Sequence, residues 1–65
     1  MEIARYLRAS DACVYIGVSR ASLYRLVKRG VAPKPIKLSP GLVVWDREDL
    51  DRAILQRKEI GLQPE

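Results

Sequence analysis

Residues 19–30 read Ser-Arg-Ala-Ser-Leu-Tyr-Arg-Leu-Val-Lys-Arg-Gly. Ser19 is a good N-cap, because its hydroxyl can accept a hydrogen bond from a free N–H group of the first helical turn. Gly30 suits the left-handed position that follows a helix, and Lys28 and Arg29 place positive charge at the negative end of the helix dipole. The stretch therefore predicts a short helix with a defined start and end.

The two faces of this helix differ in chemistry. Its back is apolar and consists of Leu23, Leu26 and Val27. Its front carries small, aromatic and basic side chains: Ala21, Tyr24, Arg25 and Lys28, with Arg20 projecting from the first turn. A helix of this kind suits the major groove of DNA, which admits one helix and is read by side chains such as arginine. We therefore predict that this segment is a recognition helix.

The distribution of charge also indicates a nucleic-acid partner. The net charge is +4, and residues 12–45 contain six lysines or arginines and no acid. The acids gather later, at Asp46, Glu48, Asp49 and Asp51. A small domain with one purely basic half has the electrostatic footprint of a nucleic-acid-binding protein. The alternative is a solvated basic face that binds nothing.

Composition limits the other possibilities. A chain of 65 residues forms one domain, near the smallest size that folds without disulfides or metals. Its one cysteine, Cys13, cannot form an intramolecular disulfide, and the lack of histidine argues against a zinc site. We expect a buried Cys13 thiol and no cofactor. Since no apolar run approaches the roughly 18 residues of a membrane span and no signal peptide is evident, we expect a soluble, cytoplasmic protein.

The segment before residue 19 predicts a second helix. Residues 6–8 alternate in polarity, which favours a short extended segment with Leu7 in the core. Ser10 is the predicted N-cap of a helix that ends at Gly17. The apolar stripe of this helix consists of Ala12, Cys13 and Ile16. Two short helices joined by a glycine-containing turn form a helix-turn-helix.

The segment after residue 30 predicts a β-hairpin. Pro33 and Pro35 impose a stiff, extended connector. Residues 36–38 alternate in polarity, residues 39–41 form a turn, and residues 42–45 are rich in β-branched and aromatic side chains. A lone hairpin is marginal in water, so its apolar face should pack on the helices, with Trp45 in the core. In a DNA-binding domain such a hairpin is a wing.

A third helix is predicted to follow. Asp46 is its N-cap, Gly61 its end, and Glu48 with Arg52 an ion pair one turn apart. Its apolar stripe consists of Leu50, Ala53 and Ile54. The predicted fold is therefore α+β and mainly α: a winged helix-turn-helix with three helices and a two-stranded hairpin. It spans residues 6–61, between a flexible arm (1–5) and a frayed tail (62–65).

Four stretches together form a family pattern: Tyr6-Leu7-Arg8, residues 17–27, residues 33–38, and Trp45 before an acidic helix start. This pattern, over residues 6–57, resembles the AlpA-like regulators, small phage and mobile-element proteins related to excisionases and to the DNA-binding heads of the MerR superfamily. The resemblance implies a transcriptional regulator or a recombination directionality factor. It places the recognition helix in the major groove and the hairpin at the flanking backbone or minor groove. Relatives often carry a cation at the hairpin turn, and this turn has none, so we expect basic contacts from Lys34 and Lys37.

The candidate DNA contacts are Ser19, Arg20, Ala21, Ser22, Tyr24, Arg25, Lys28, Lys34 and Lys37. Arg20 and Arg25 can each donate two hydrogen bonds to guanine, although Arg20 also suits a phosphate. Ala21 can meet a thymine methyl group, and the small Ser22 allows close approach. The Tyr24 hydroxyl and the three lysines suit phosphates, which position a protein without reading sequence. The alternative for Tyr24 is an amphipathic lid on the core.

The preferred interpretation is a sequence-specific double-stranded DNA-binding protein that is not an enzyme, because no acid–base or nucleophile–base pair is evident. A single module contacts few base pairs, so we expect self-association on DNA, as a dimer or a cooperative array. Leu55, Ile60 and Leu62 are candidate contact points between copies, or harmless exposed residues. The alternative function is a protein-interaction adaptor for an acidic partner such as an integrase or a terminase subunit. An RNA-binding module is disfavoured, because the predicted sheet lacks the several exposed aromatic residues on which RNA bases would stack.

Overall fold

The computed structural model describes residues 4–60. Its elements are β1 (Tyr6–Leu7), α1 (Ala9–Ile16), α2 (Arg20–Lys28), β2 (Ile36–Ser39), β3 (Leu42–Asp46) and α3 (Arg47–Ile60). The predicted fold class is confirmed, since the chain is α+β and mainly helical, with three helices and an antiparallel sheet. Residues 1–3 of the predicted arm, Gly61 at the predicted helix end, and the predicted tail 62–65 lie outside the described residues.

The sheet has one strand more than the predicted hairpin. Its order is β1-β3-β2, because the extended segment around Leu7 pairs with the far side of β3. Leu7 lies opposite Trp45, and Lys37 of β2 lies opposite Val43. The prediction that Leu7 enters the core is confirmed, since its side chain is buried.

The two faces of the sheet have different environments. Directly opposite residues of paired strands share a face, so one face carries Leu7, Lys37, Val43 and Trp45. Leu7 and Trp45 belong to the core, and Val43 packs against it. The outer face groups Tyr6, Ile36, Leu38 and Val44. The expectation that the hairpin packs its apolar side on the helices therefore holds for β3, whereas every residue of β2 is exposed.

The core joins one large side chain from each of three elements. Trp45 of β3, Leu23 of α2 and Leu50 of α3 are the largest fully buried side chains. The Trp45 ring donates a hydrogen bond from Nε1 to the Pro33 carbonyl oxygen, at 3.0 Å. That bond ties the proline connector to the core, and it confirms the core role predicted for Trp45. Cys13 is a free, buried thiol, as expected.

The first helix begins earlier than predicted. Ser10 is not its N-cap: α1 starts at Ala9, and Arg8 occupies the cap position without a side-chain hydrogen bond. The reason is that β1 leads directly into the helix, so that the Ala12 N–H already bonds to the Arg8 carbonyl at 2.8 Å. The predicted end is correct, because Gly17 adopts the left-handed conformation with φ of 77°. Three residues, 17–19, then separate α1 from α2.

The N-cap of α3 is the predicted one, whereas the ion pairs in its first turns differ from the prediction. The Glu48 N–H donates to Asp46 Oδ1 at 2.9 Å, which confirms the N-cap. The predicted Glu48–Arg52 ion pair is wrong: Arg52 pairs with Asp49, and Glu48 with Arg5 at 3.5 Å. Arg5 reaches this position because its carbonyl accepts a hydrogen bond from the Arg47 N–H at 2.7 Å. Ile54, predicted in the buried stripe, is 45% exposed, and the buried residue of α3 is Leu50, one turn earlier.

Candidate nucleic-acid interface

Helix α2 is fixed at both ends by local hydrogen bonds. Ser19 Oγ accepts from the Ser22 N–H at 3.1 Å, which confirms the predicted N-cap. At the other end Gly30 is left-handed, and the Val31 N–H bonds to the Leu26 carbonyl at 2.9 Å. Between these ends, Leu23 is fully buried and anchors the helix to the core. The helix is therefore capped at both ends and anchored to the core, with its opposite side in solvent.

The exposed side of α2 contains the predicted front residues. Those exposed to solvent are Arg20, Ala21, Tyr24, Arg25 and Lys28. At 3.6 residues per turn, Arg20 and Arg25 lie roughly 140° apart around the helix axis, with Ala21 between them. The two arginines thus flank this surface on opposite sides. Arg25 lines a shallow groove with Val18 and Arg29, whereas Arg20 faces the hairpin.

The hydroxyl groups of Ser19 and Ser22 already form hydrogen bonds at the N-cap of α2. Their hydroxyl oxygens are 3.0 Å apart and hydrogen-bonded to each other, in addition to the bond from the Ser22 N–H. Ser22 is only half-buried, and Ser19 is exposed. Both serines therefore stabilise the start of α2, and Ser19 remains exposed to solvent there.

Tyr24 has two environments at once. Its ring meets the Trp45 ring edge-on, with centroids 5.8 Å apart and planes at 72°. The residue is nevertheless 44% exposed. An aromatic pair of this geometry holds the ring in place, so Tyr24 acts as the lid on the core that the sequence suggested. The same packing presents its hydroxyl at the surface of α2, where a phosphate contact remains a prediction.

Lys34 and Lys37 are the two predicted phosphate contacts that lie outside α2. Lys34 lies in the connector, directly after the Pro33 carbonyl that the Trp45 ring anchors. Lys37 shares a sheet face with Val43, which lines the space between the hairpin and α2. Both lysines are exposed. The hairpin turn Ser39-Pro40-Gly41 adds no cation.

The cations of α2, the connector and β2 form no ion pair within the described part of the chain. Within residues 4–60, the ion pairs involve Arg5 with Asp46 and Glu48, and Arg52 with Asp49. None of them reaches α2 or the hairpin cations. Tyr15 adds a link on the acidic side, because its hydroxyl donates to Asp51 Oδ1 at 2.7 Å, and this hydrogen bond raises the pKa of Tyr15. Asp46, Glu48 and Asp49 therefore pair at the start of α3, while the cations of α2 face solvent.

The pKa of Asp46 reflects this arrangement. Partial burial of the carboxylate acts to raise its pKa, but several interactions oppose that effect. They are the hydrogen bond from the Glu48 N–H, the hydrogen bond from Arg5, and the charges of Arg5 and Arg52. The result is a pKa below the ordinary value of aspartate. The folded structure therefore stabilises the ionised carboxylate of Asp46 relative to its protonated form.

One cleft of this surface brings together residues that the sequence did not connect. The start of α1, the N-terminal half of α2 and the hairpin turn enclose a space of about 400 Å³, lined by Arg8, Ser10, Arg20, Tyr24, Gly41 and others. Arg8 and Ser10 were not among the predicted contacts. The only local signal was a cation directly before the first helix, and its closeness to α2 depends on the pairing of β1 with β3.

The arrangement defines a class of protein: a small winged helix-turn-helix with a basic, solvent-facing second helix. The model of the family of the prophage CP4-57 regulatory protein AlpA matches residues 5–58, and the chain belongs to this family of phage-type regulatory DNA-binding proteins. The resemblance found in the sequence is thereby confirmed. No curated protein and no solved structure gave a significant match.

The described part of the chain contains neither a cluster of metal ligands nor a helix fit to span a membrane. No three His, Cys, Asp or Glu side chains within residues 4–60 come together as a metal site would require. Among the same residues, no helix combines the length and the apolar character needed to cross a membrane.

Proposed function

We propose that this chain binds specific double-stranded DNA sequences and acts as an excision or transcription regulator of a phage or integrative element. The observation that carries the proposal is the front of α2. Arg20, Arg25 and Lys28 are exposed there without an ion pair among the described residues, on a helix anchored by the buried Leu23. A basic helix that stands out from a rigid core is what major-groove reading requires.

In this proposal the contacts divide into two kinds. Arg25 reads a base through two hydrogen bonds to guanine, and Ala21, at the middle of the exposed side, meets a thymine methyl group. Lys28, Lys34, Lys37 and the Tyr24 hydroxyl hold phosphates, and Ser19 and Ser22 let the start of α2 approach the backbone. Phosphate contacts fix the position of the domain without reading sequence. The role of Arg20 is argued in the next subsection.

The division of roles makes a testable prediction. Arg25→Ala should weaken binding to the preferred site roughly 5- to 150-fold while leaving random DNA much less affected, because a bidentate base contact contributes about 1–3 kcal/mol of discrimination. Lys37→Ala should weaken binding to both DNAs by a similar factor. Fluorescence anisotropy measures the affinity of each variant, relative to the wild type, for a preferred site selected from pooled genomic fragments and for random DNA.

Arg57→Ala is the matched control, because Arg57 is an exposed arginine of α3 and its removal changes the net charge equally. Arg57→Ala should leave the affinities for the preferred site and for random DNA close to those of the wild type. If Arg25→Ala, like Lys37→Ala, lowers the affinity for the preferred site and for random DNA by the same factor, the assignment of Arg25 to base reading is wrong. If the wild-type chain itself prefers no sequence, the adaptor alternative, with an integrase or terminase partner, replaces the proposal.

The biological role follows from where the preferred sites lie. Sites that flank an integrase attachment sequence support a recombination directionality factor, with an integrase as a possible partner. Sites that overlap a promoter support transcriptional control. The same DNA-binding surface serves both roles, so the position of the sites, rather than the fold, distinguishes them.

A further inference from the structure

The cleft between α1, α2 and the hairpin turn has the size and shape of a backbone-binding site. Its volume of about 400 Å³ corresponds to that of on the order of ten water molecules. It is therefore large enough for a phosphate with part of its sugar. Three separate elements line it, and the turn contributes Gly41, which has no side chain to close the opening. A strand of nucleic acid that follows the edge of the groove can enter such a cleft from the solvent side.

The side chains of the cleft are donors that lack acceptors. Arg8 and Arg20 both line it, and neither guanidinium forms an ion pair or a side-chain hydrogen bond within residues 4–60. The hydroxyls of Ser10 and Tyr24 also lack a hydrogen-bond partner in this part of the chain. The cleft contains one acid, Asp11, so its formal charge is +1 from two arginines and one carboxylate.

This chemistry selects a particular class of ligand. A phosphodiester carries one negative charge and oxygens that accept from several donors, and guanidinium groups bind it through paired hydrogen bonds. A net positive cleft with two guanidiniums and two hydroxyls matches those needs. The carboxylate of Asp11 repels an anion on its own side, which favours a phosphate seated toward Arg8 and Arg20.

We propose that this cleft binds one phosphodiester of the target DNA, held by Arg8 and Arg20 with the hydroxyls of Tyr24 and Ser10. The proposal rests on the proposed function and adds Arg8 as a DNA contact. It also assigns Arg20 to the backbone, because Arg20 lies on the flank of α2 that faces the cleft, about 140° around the axis from Arg25. In this arrangement the bases are read by Ala21, in the middle of the exposed side of α2, and by Arg25 on the opposite flank.

The test combines a charge-neutral protein variant with charge-neutral DNA. Arg8→Gln should weaken binding roughly tenfold at low salt, on specific and random DNA alike, because it removes a charged hydrogen bond to the backbone. The slope of log affinity against log salt should become shallower by about one. A set of DNA sites, each with one phosphate replaced by a methylphosphonate, should contain one position that weakens the wild-type chain clearly more than it weakens Arg8→Gln, in which Arg20 still contacts that phosphate.

Two control variants keep the result interpretable. Arg57→Gln removes the same charge outside the cleft, so it should leave the methylphosphonate profile as in the wild type. Arg8→Lys should restore most of the salt slope, because a lysine still supplies one positive charge. Folding should survive in Arg8→Gln, since the Arg8 side chain makes no cap hydrogen bond to α1, and circular dichroism checks this.

The outcomes separate this inference from the proposed function. If the wild-type chain prefers its site and Arg8→Gln matches it in affinity, salt slope and methylphosphonate profile, the cleft proposal is wrong and the proposed function stands. If the wild-type chain shows no sequence preference but Arg8→Gln still has the shallower slope on random DNA, the cleft proposal stands and the proposed function fails. A chain that binds no DNA overturns both.

Discussion

Leu23 and Leu55 are leucines on different helices with opposite environments. Leu23 is the fully buried residue of α2, whereas Leu55 of α3 is 53% exposed. Leu23→Ala should therefore lower the free energy of unfolding by about 2–5 kcal/mol, through lost burial and the cavity left behind. A loss of that size is a large part of the total stability of a small domain. Urea denaturation followed by circular dichroism measures it.

Leu55→Ala is the control for the same measurement and should stay close to the wild-type midpoint, because its side chain remains largely in solvent. Equal midpoints for Leu23→Ala and the wild type would show that Leu23 does not anchor α2. In that case the rigid presentation of Arg20 and Arg25 would lose its basis.

Local sequence predicted the environment of some residues but not the contacts between residues that are far apart in the chain. The exposure of Arg25 and the burial of Leu23 follow from helical spacing, which local sequence contains. The contact of Tyr15 with Asp51 and that of Arg5 with Asp46 join residues 36 and 41 positions apart. Such contacts depend on how α1 lies against α3 and on how β1 pairs with β3. No pattern within one segment could have indicated them.

Among the elements, the start of α3 supports the fold through a single carboxylate. Asp46 caps α3 through the Glu48 N–H and pairs with Arg5 at 3.2 Å, so it joins the helix to the strand segment that precedes α1. Asp46→Asn should lower the urea midpoint at neutral pH, because the amide keeps the shape but loses the ion pair. The difference between the two proteins should depend on pH.

The sign of that dependence follows from the lowered pKa of Asp46. A group whose pKa is lower in the folded state stabilises the fold fully above its unfolded value, about 3.9 for aspartate, and loses this effect as the pH falls through the folded value. The gap between wild type and Asp46→Asn should thus be constant from neutral pH to about pH 5 and shrink below about pH 4. A gap that widens on acidification would contradict this account.

At the scale of elements, the sequence predicted all three helices and the hairpin, because each has end signals within a few residues. Ser19, Gly17, Gly30 and Asp46 each act in the structure as predicted. The third strand and the start of α1 were not predicted correctly. Both depend on the pairing of Leu7 with Trp45, which are far apart in the chain. Strand pairing of this kind has no local signature in a segment of two residues.

The dimensions of the whole molecule constrain how several copies share DNA. The longest extent of the described chain is 36 Å, and one turn of DNA spans about 34–36 Å or 10–10.5 base pairs. One chain therefore covers no more than about one turn, and it reads too few bases for high specificity. Neighbouring copies on one face of the duplex are closest when their sites are one turn apart. We therefore expect cooperative binding at that spacing.

The expected result is a phase-dependent cooperativity between two sites. On a fragment with two preferred sites about 10 base pairs apart, gel shifts should show the doubly bound species at low occupancy. Inserting about 5 base pairs moves the second copy to the opposite face, and the cooperativity should disappear while each site keeps its affinity. Leu55→Gln, a change on the exposed side of α3, should reduce cooperativity at the close spacing without changing single-site binding, if Leu55 touches the next copy. Equal cooperativity at both spacings would rule out contact between neighbouring chains, because direct contact requires both copies on one face of the duplex.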